Sequence, residues 1–249
     1  MLTTVLFDLD GTLLNLDLEF FLQRYIKALA PHFAEIAPAD RFAKELLRWS
    51  RAMVENVDPN LTNLEVFWQG FPASLGVERT VLEPIFARFY EAEFPKLRPA
   101  GAMNPAARRL VRTLLARGYT PVIATNPLFP KQAILERLSW AGCADLPYAY
   151  ITCGEEMHYC KPNLEFFTEI LARIGRTPAE CLMVGNDMEE DMVAQRLGLA
   201  TALVTDCLID RGRLGACPDW RGTLAELADI FTNGREGEIF ARFNHDAGR

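Results

Sequence analysis

Histidine is scarce in this chain, with three in 249 residues, and none of the six cysteines (Cys143, Cys153, Cys160, Cys181, Cys207 and Cys217) forms a Cys-x-x-Cys pair. Cys153, His158 and Cys160 lie close in sequence, but no fourth ligand stands at a workable spacing, so a structural zinc site is not expected and the thiols read as free and buried. A basic surplus is missing too: 26 Lys and Arg face 33 Asp and Glu, a net charge of -7, which argues against nucleic acid as a partner. No apolar run is long enough to cross a bilayer, and Met1 leads into strand-like sequence without a charged leader or cleavage site. The expectation is a cytoplasmic protein with no membrane and no nucleic-acid partner. Internal repeats and low-complexity tracts are absent, and no residue pattern sets an oligomeric state.

What is present begins at Val5-Leu6-Phe7-Asp8-Leu9-Asp10-Gly11-Thr12-Leu13-Leu14. Val5 to Phe7 is a short β-prone apolar run of the kind buried in a parallel sheet, and it stops abruptly at an acid. Asp8 is therefore expected at the carboxyl end of a strand, the edge where open α/β sheets bind ligands. With the chain roughly extended, Asp8 and Asp10 face one cleft, because side-chain direction repeats every second residue. Gly11 then permits a sharp turn beside them.

From Leu14 to about Gly101 the pattern is helical. Asp17 can cap a helix through Phe20, Phe21, Tyr25 and Leu29, and Asp40 begins a second through Phe42, Leu46 and Trp49. Asn63 opens a third, predicted to break at Gly70 to Pro72, and a fourth is predicted over residues 78–94. The aromatics Phe20, Phe21, Trp49, Phe67, Trp68 and Phe71 recur at helical spacing and are assigned to a bundle core.

Beyond Pro105, which starts a helix closed by Gly118, strand and helix alternate. Strands are predicted at residues 120–124, 148–152, 181–184 and 201–204, and helices at 130–140, 162–174, 188–197 and 223–231, before a polar tail expected to be partly disordered. Alternation of this kind implies a parallel sheet with helices on both faces, so the predicted fold is α/β, a doubly wound parallel sheet with an all-helical insertion after its first strand.

Three of these strands end in polar groups at one expected edge: Asp8 and Asp10, then Thr125 and Asn126, then Asn186 and Asp187 with Asp191 beyond; Lys161-Pro162 follows the weak strand at 148–152. The set suits a phosphate ester held beside a divalent metal. Asp8 and Asp187 offer hard oxygen ligands for Mg²⁺, while the Thr125 hydroxyl, backbone N–H groups and the Lys161 ammonium can receive phosphate oxygens.

In this order the four motifs make the chain resemble the haloacid dehalogenase (HAD) superfamily, in the helical-cap branch of phosphatases that includes phosphoglycolate phosphatase-like proteins. The resemblance implies a HAD-like Rossmannoid core formed by residues 1–14 and 102–249 and a helical cap at 15–101. It further implies a small phosphorylated substrate, with Asp8 as the nucleophile that forms an aspartyl-phosphate. Asp10 would protonate the leaving group and then activate water. Mg²⁺ would be held by Asp8, the backbone carbonyl of Asp10, and Asp187. Thr125 and Asn126 would bind phosphate with Lys161, which also steadies the nucleophile, and the cap would close over the substrate. Asp191 would orient Lys161 or metal-bound water, or ligate directly.

The chain departs from the family where Asn186 precedes Asp187, in a motif that in many relatives carries two acids; Asn186 then offers a water-mediated contact. Glu189 and Glu190 are read as solvated helix residues and His158 as a loop histidine. A 2-haloacid dehalogenase is disfavoured because relatives with that activity lack an acid at the position of Asp10. A phosphomutase and a non-catalytic binding protein on the same scaffold are the other rivals.

Overall fold

The computed structural model describes residues 1–99, 102–213, 215 and 217–241. Five parallel strands form one sheet in the order β2-β1-β3-β4-β5: β1 Thr4–Phe7, β2 Thr120–Ile123, β3 Cys181–Gly185, β4 Ala200–Val204 and β5 Trp220–Gly222. Side chains alternate across it. Val5, Phe7, Leu182 and Val184 enter one apolar layer, and Leu6, Val122 and Met183 enter the other. The first layer is covered by α5 (Pro105–Ala116) and α8 (Leu224–Thr232), the second by Phe166, Phe167 and Ile170 of α7 (Leu164–Ile174). This is the doubly wound arrangement expected.

Between β1 and β2 stand α1 (Leu18–Leu29), α2 (Ala39–Glu55), α3 (Asn63–Leu75) and α4 (Arg79–Ala92), with short 3-10 turns at Ala30–Phe33 and Phe94–Leu97. Asp17 caps α1 by accepting from the Phe20 N–H at 2.9 Å, and Thr62 with Glu65 forms a reciprocal capping box on α3. Phe21, Phe67 and Phe71 are buried, Trp49 and Trp68 half-buried, while Phe20 is 56% exposed and lies outside the bundle core to which its spacing assigned it. Phe21 and Phe94 of the helical insertion pack against Phe129 and Trp140 of the sheet portion, joining the two in one apolar layer.

The predicted break at Gly70 to Pro72 does not occur; α3 runs through both. Gly70 serves proximity instead. A Cβ there would lie 1.7 Å from the Trp49 ring, so its absence lets α2 and α3 approach closely. Gly70→Ala is expected to lower stability by about 1–3 kcal/mol, the range for overpacking a close contact, and urea unfolding checks it.

Three further departures from the expected elements are found. Residues 148–152 form no strand: Ile151 makes a single parallel bridge to Ile123. The Thr120 N–H bonds inward to Thr3 and the Ile123 N–H outward to Tyr150, so the donor of residue 121 belongs on the outer edge, where Pro121 has none. Residues 188–197 form no α-helix. The Asp187 carboxylate accepts the N–H groups of Glu189 (2.9 Å) and Glu190 (3.0 Å) as a helix cap does, but the chain continues as a turn and then a 3-10 helix, Met192–Leu197. The strand β5 went unpredicted because three residues are too short for a periodicity.

In the tail, α9 (Glu236–Ile239) is ordered structure; residues 242–249 lie outside the described residues, as does Gly101 at the end of the insertion. Cys143, Cys153, Cys160 and Cys181 are buried free thiols, but Cys207 is half-buried and Cys217 exposed. No helix among the described residues is long and apolar enough to cross a membrane.

Candidate active site

Parallel pairing brings three strand ends to one level. Phe7 is in register with Ile123 of β2 and Val184 of β3, so Asp8, Thr125 and Asn186-Asp187 leave the sheet at the same edge. The Asp8 N–H still bonds to the Val184 carbonyl (2.9 Å) and the Ala124 N–H to the Phe7 carbonyl (2.7 Å), which fixes the nucleophile candidate to both neighbours. These residues line a cavity of about 150 Å³ together with Asp10, Asn126, Asp191 and two side chains the sequence reading did not place there, Arg137 and Glu190.

Lys161 is the hub. Its Nζ donates to Asp8 Oδ1 (2.8 Å) and Asp191 Oδ1 (2.6 Å), and it is 1% exposed. Burial disfavours its ammonium, but the facing carboxylates of Asp191 and Asp8 outweigh that and hold its pKa above the ordinary lysine range. Burial pushes Asp191 the other way, upward, against the Lys161 charge. The second Asp191 oxygen accepts from the Asp187 N–H (3.0 Å). Gly185 makes room for this, since a Cβ there would meet Asp191 Oδ2 at 2.1 Å. Asp191 therefore braces both Lys161 and the turn that presents Asp187.

The other groups are held from below. Thr12 Oγ1 lies 3.3 Å from Asp8 Oδ2 and 3.2 Å from Asn186 Oδ1, and Asn186 Nδ2 donates to the Cys207 carbonyl at 2.6 Å. Gly11, at φ +82°, turns the chain where a Cβ would strike the Asn186 amide. Asn126 ties the loops together, its side-chain oxygen accepting from the Lys161 N–H (3.2 Å) and its amide nitrogen donating to Glu190 (3.2 Å). Glu190 is thus half-buried and bonded, and Glu189 accepts from the Arg211 N–H at 2.9 Å; neither is the freely solvated residue expected.

Arg137, from α6 (Lys131–Trp140), is the main residue the sequence reading missed. It is 1% exposed, forms an ion pair with Asp10, and stacks its guanidinium over Phe129 at 4.5 Å. A signal existed: Ala133, Ile134, Arg137 and Leu138 make one buried stripe, with arginine at an apolar position. Asp10 itself is raised to about 6, chiefly by burial and further by Asp8, with Arg137 opposing.

The native state therefore holds the Asp10 proton more tightly than the unfolded chain does, and this group's stabilising contribution is present below about pH 4 and lost as pH rises through about 6. In EDTA, the stability of the wild type minus that of Asp10→Asn is expected to fall by about 2–3 kcal/mol across that interval. Urea midpoints at both ends decide it, and a flat difference refutes it.

For a divalent cation the donor chemistry is suitable: Asp8, Asp10 and Asp187 line one cavity, and carboxylate and backbone carbonyl oxygens are the hard ligands that Mg²⁺ takes. Among the described residues, however, no three acidic or histidine groups converge at ligating geometry, and the Asp187 carboxylate is held by Arg211 Nη1 at 2.8 Å. A cation bound there would compete with Arg211 for the Asp187 carboxylate.

The chain is 29% identical over 126 residues to a glyceraldehyde 3-phosphate phosphatase of Methanothermobacter thermautotrophicus, covering 50% of this chain and 53% of that protein. It is 35% identical over 104 residues to a ribulose-1,5-bisphosphate 5-phosphatase of Halopiger xanaduensis, covering 41% and 42%. The chain thus spans about half the length of the curated relatives it matches. A crystal structure of 2-haloacid dehalogenase from Pseudomonas syringae pv. Tomato superposes with a TM-score of 0.61 at 19% identity, covering 94% of this chain and all of that one, a likeness of fold. The model of the haloacid dehalogenase-like hydrolases matches residues 2–198, and the chain belongs to that family.

Proposed function

We propose that the protein is a phosphatase that hydrolyses a small phosphorylated metabolite through an aspartyl-phosphate on Asp8. The observation that carries this is the pairing of two unlike acids in one cavity: Asp8, anchored to Lys161, and Asp10, whose burial favours a proton. An ester oxygen leaves as a poor anion and needs that proton, whereas a halide leaves unaided, so Asp10 favours phosphoester over carbon–halogen chemistry. Two relatives named as phosphatases point the same way.

In the first step an Asp8 oxygen attacks phosphorus, the bond to the ester oxygen breaks, and Asp10 gives its proton to the departing oxygen. In the second, Asp10 takes a proton from water as that water attacks phosphorus, which releases phosphate and restores the Asp8 carboxylate. Lys161 and the Thr125 hydroxyl face the phosphoryl oxygens, and Asp191 keeps Lys161 in place. Asp8, Asp187 and the Asp10 backbone carbonyl would hold Mg²⁺, which supplies charge neutralisation at the phosphoryl group when bound. Asn186 stays outside that shell, its amide spent on Thr12 and Cys207.

The reading also takes residues 15–101 as the cap and 1–14 with 102–249 as the catalytic core, working in the cytoplasm with neither nucleic acid nor membrane as partner. The experiment is phosphate release in Mg²⁺ from a panel of sugar phosphates, phosphoglycolate, nucleotides and phosphorylated amino acids, beside chloride release from 2-chloropropionate. No phosphate above an Asp8→Asn control sinks the proposal, and chloride without phosphate replaces it with dehalogenation.

A further inference from the structure

A second cavity, of about 300 Å³, lies against the helical insertion, walled by Ile26 of α1, Met53 of α2, Phe67 and Trp68 of α3, and Phe86 and Tyr90 of α4. No lysine, arginine or histidine among the described residues lines it, and its hydroxyl and carboxylate groups are already spent. The Tyr25 and Tyr90 hydroxyls bond to each other at 2.8 Å, Ser50 Oγ donates to the Leu46 carbonyl at 2.9 Å, and the Glu155 carboxylate accepts from the Lys131 N–H at 2.9 Å. Burial holds both phenols protonated, well above the ordinary tyrosine range, so the wall they form carries no charge. A sugar or a second phosphate placed among these side chains would give up its water and find few partners. An apolar group gives up nothing of the kind, and it supplies the close contacts that a void denies its lining.

This cavity adjoins the reaction site. Leu128 and Phe129 line both spaces, and consecutive residues of α2 divide between them, Met53 on the apolar one and Val54 on the other. The Phe129 ring has the Arg137 guanidinium over it at 4.5 Å and meets the Tyr25 ring edge to face at 5.4 Å between centroids. Arg137 in turn pairs with Asp10, so the two phenols stand only a few side chains from the acid that serves the ester oxygen. Resting on the phosphatase reading, we propose that this cavity receives the leaving group, and that the substrates it selects are phosphomonoesters of apolar alcohols whose hydrocarbon tail packs among Phe67, Trp68 and Phe86. Hydrolysis releases inorganic phosphate and the free alcohol, whose oxygen carries away the Asp10 proton.

The test is kcat/KM for phosphate release from ethyl, butyl and hexyl phosphate, beside the monophosphate of diethylene glycol, which matches the hexyl chain in heavy atoms but is polar. The alkyl series keeps the leaving oxygen nearly constant while the tail grows. In the wild type the value is expected to climb about 2- to 4-fold per methylene, or about 20- to 200-fold from ethyl to hexyl, and hexyl phosphate to exceed the glycol ester by about tenfold. Ala87→Phe, at an exposed position of α4 that lines the cavity, narrows it, and Trp68→Ala removes part of its wall; in both the dependence on tail length is expected to flatten. A flat or falling series in the wild type overturns the proposal, with the phosphatase reading intact if the wider panel releases phosphate. A slope that flattens in neither variant puts the tail elsewhere and overturns it as well. If neither the series nor the panel releases phosphate, both fall.

Discussion

Lys161→Met is expected to destabilise the protein by about 3–5 kcal/mol and to abolish turnover. The methionine fills the volume but leaves Asp8 Oδ1 and Asp191 Oδ1, which one ammonium now bridges at 2.8 and 2.6 Å, as unscreened like charges in a buried place. The molecule's escape is to protonate one of them. Asp191 is already pushed upward by burial, and without Lys161 the main opposition to that push is gone, so the deficit in urea unfolding should shrink on going from pH 7.5 to pH 5. The double variant Lys161→Met with Asp191→Asn should recover much of the loss, because the second carboxylate is gone. Equal deficits in the single and double variants, or a deficit independent of pH, would show that Lys161 acts by packing alone.

The second large effect is on chemistry. Asp8→Asn is expected to reduce phosphate release by at least about 10⁴-fold, the scale on which covalent catalysis fails when its nucleophile is removed. Stability should change far less than in Lys161→Met, since Asn keeps the shape and Lys161 retains its bond to Asp191. The decisive observation is covalent. Wild-type protein quenched in acid during turnover should carry an alkali-labile phosphoryl group, and Asp8→Asn should carry none. A labelled Asp8→Asn protein would place the nucleophile elsewhere.

The shared polar edge was legible in the sequence because it follows from strand endings: an apolar run halted by Asp8, another by Thr125-Asn126, a third by Asn186-Asp187, all parallel and so all at one edge. Arg137 was not. A charged residue inside a helical stripe reads as a solvent-facing interruption unless a buried acid is known to await it, and Asp10 is more than a hundred residues away. Pro72 misled for a related reason, since local propensity predicts a break that packing of Trp49 on Gly70 overrides. Residues 188–197 misled in the opposite sense: their apolar spacing is helical and Asp187 accepts the Glu189 and Glu190 N–H groups as a helix cap does, yet a turn and a 3-10 helix follow.

Because β1 lies between β2 and β3 in the strand order, both of its neighbours come from far along the chain: Thr4 is paired with Thr120 on one side and Cys181 on the other. During synthesis the first strand leaves the ribosome with nothing to hold it until β2 has emerged, a wait on the order of ten seconds at translation rates of about 5–20 residues per second. The insertion has no such delay, since its helices meet mainly near neighbours. The nascent polypeptide can therefore assemble its helical insertion before its sheet, with the stretch that bears Asp8 among the last to find its place.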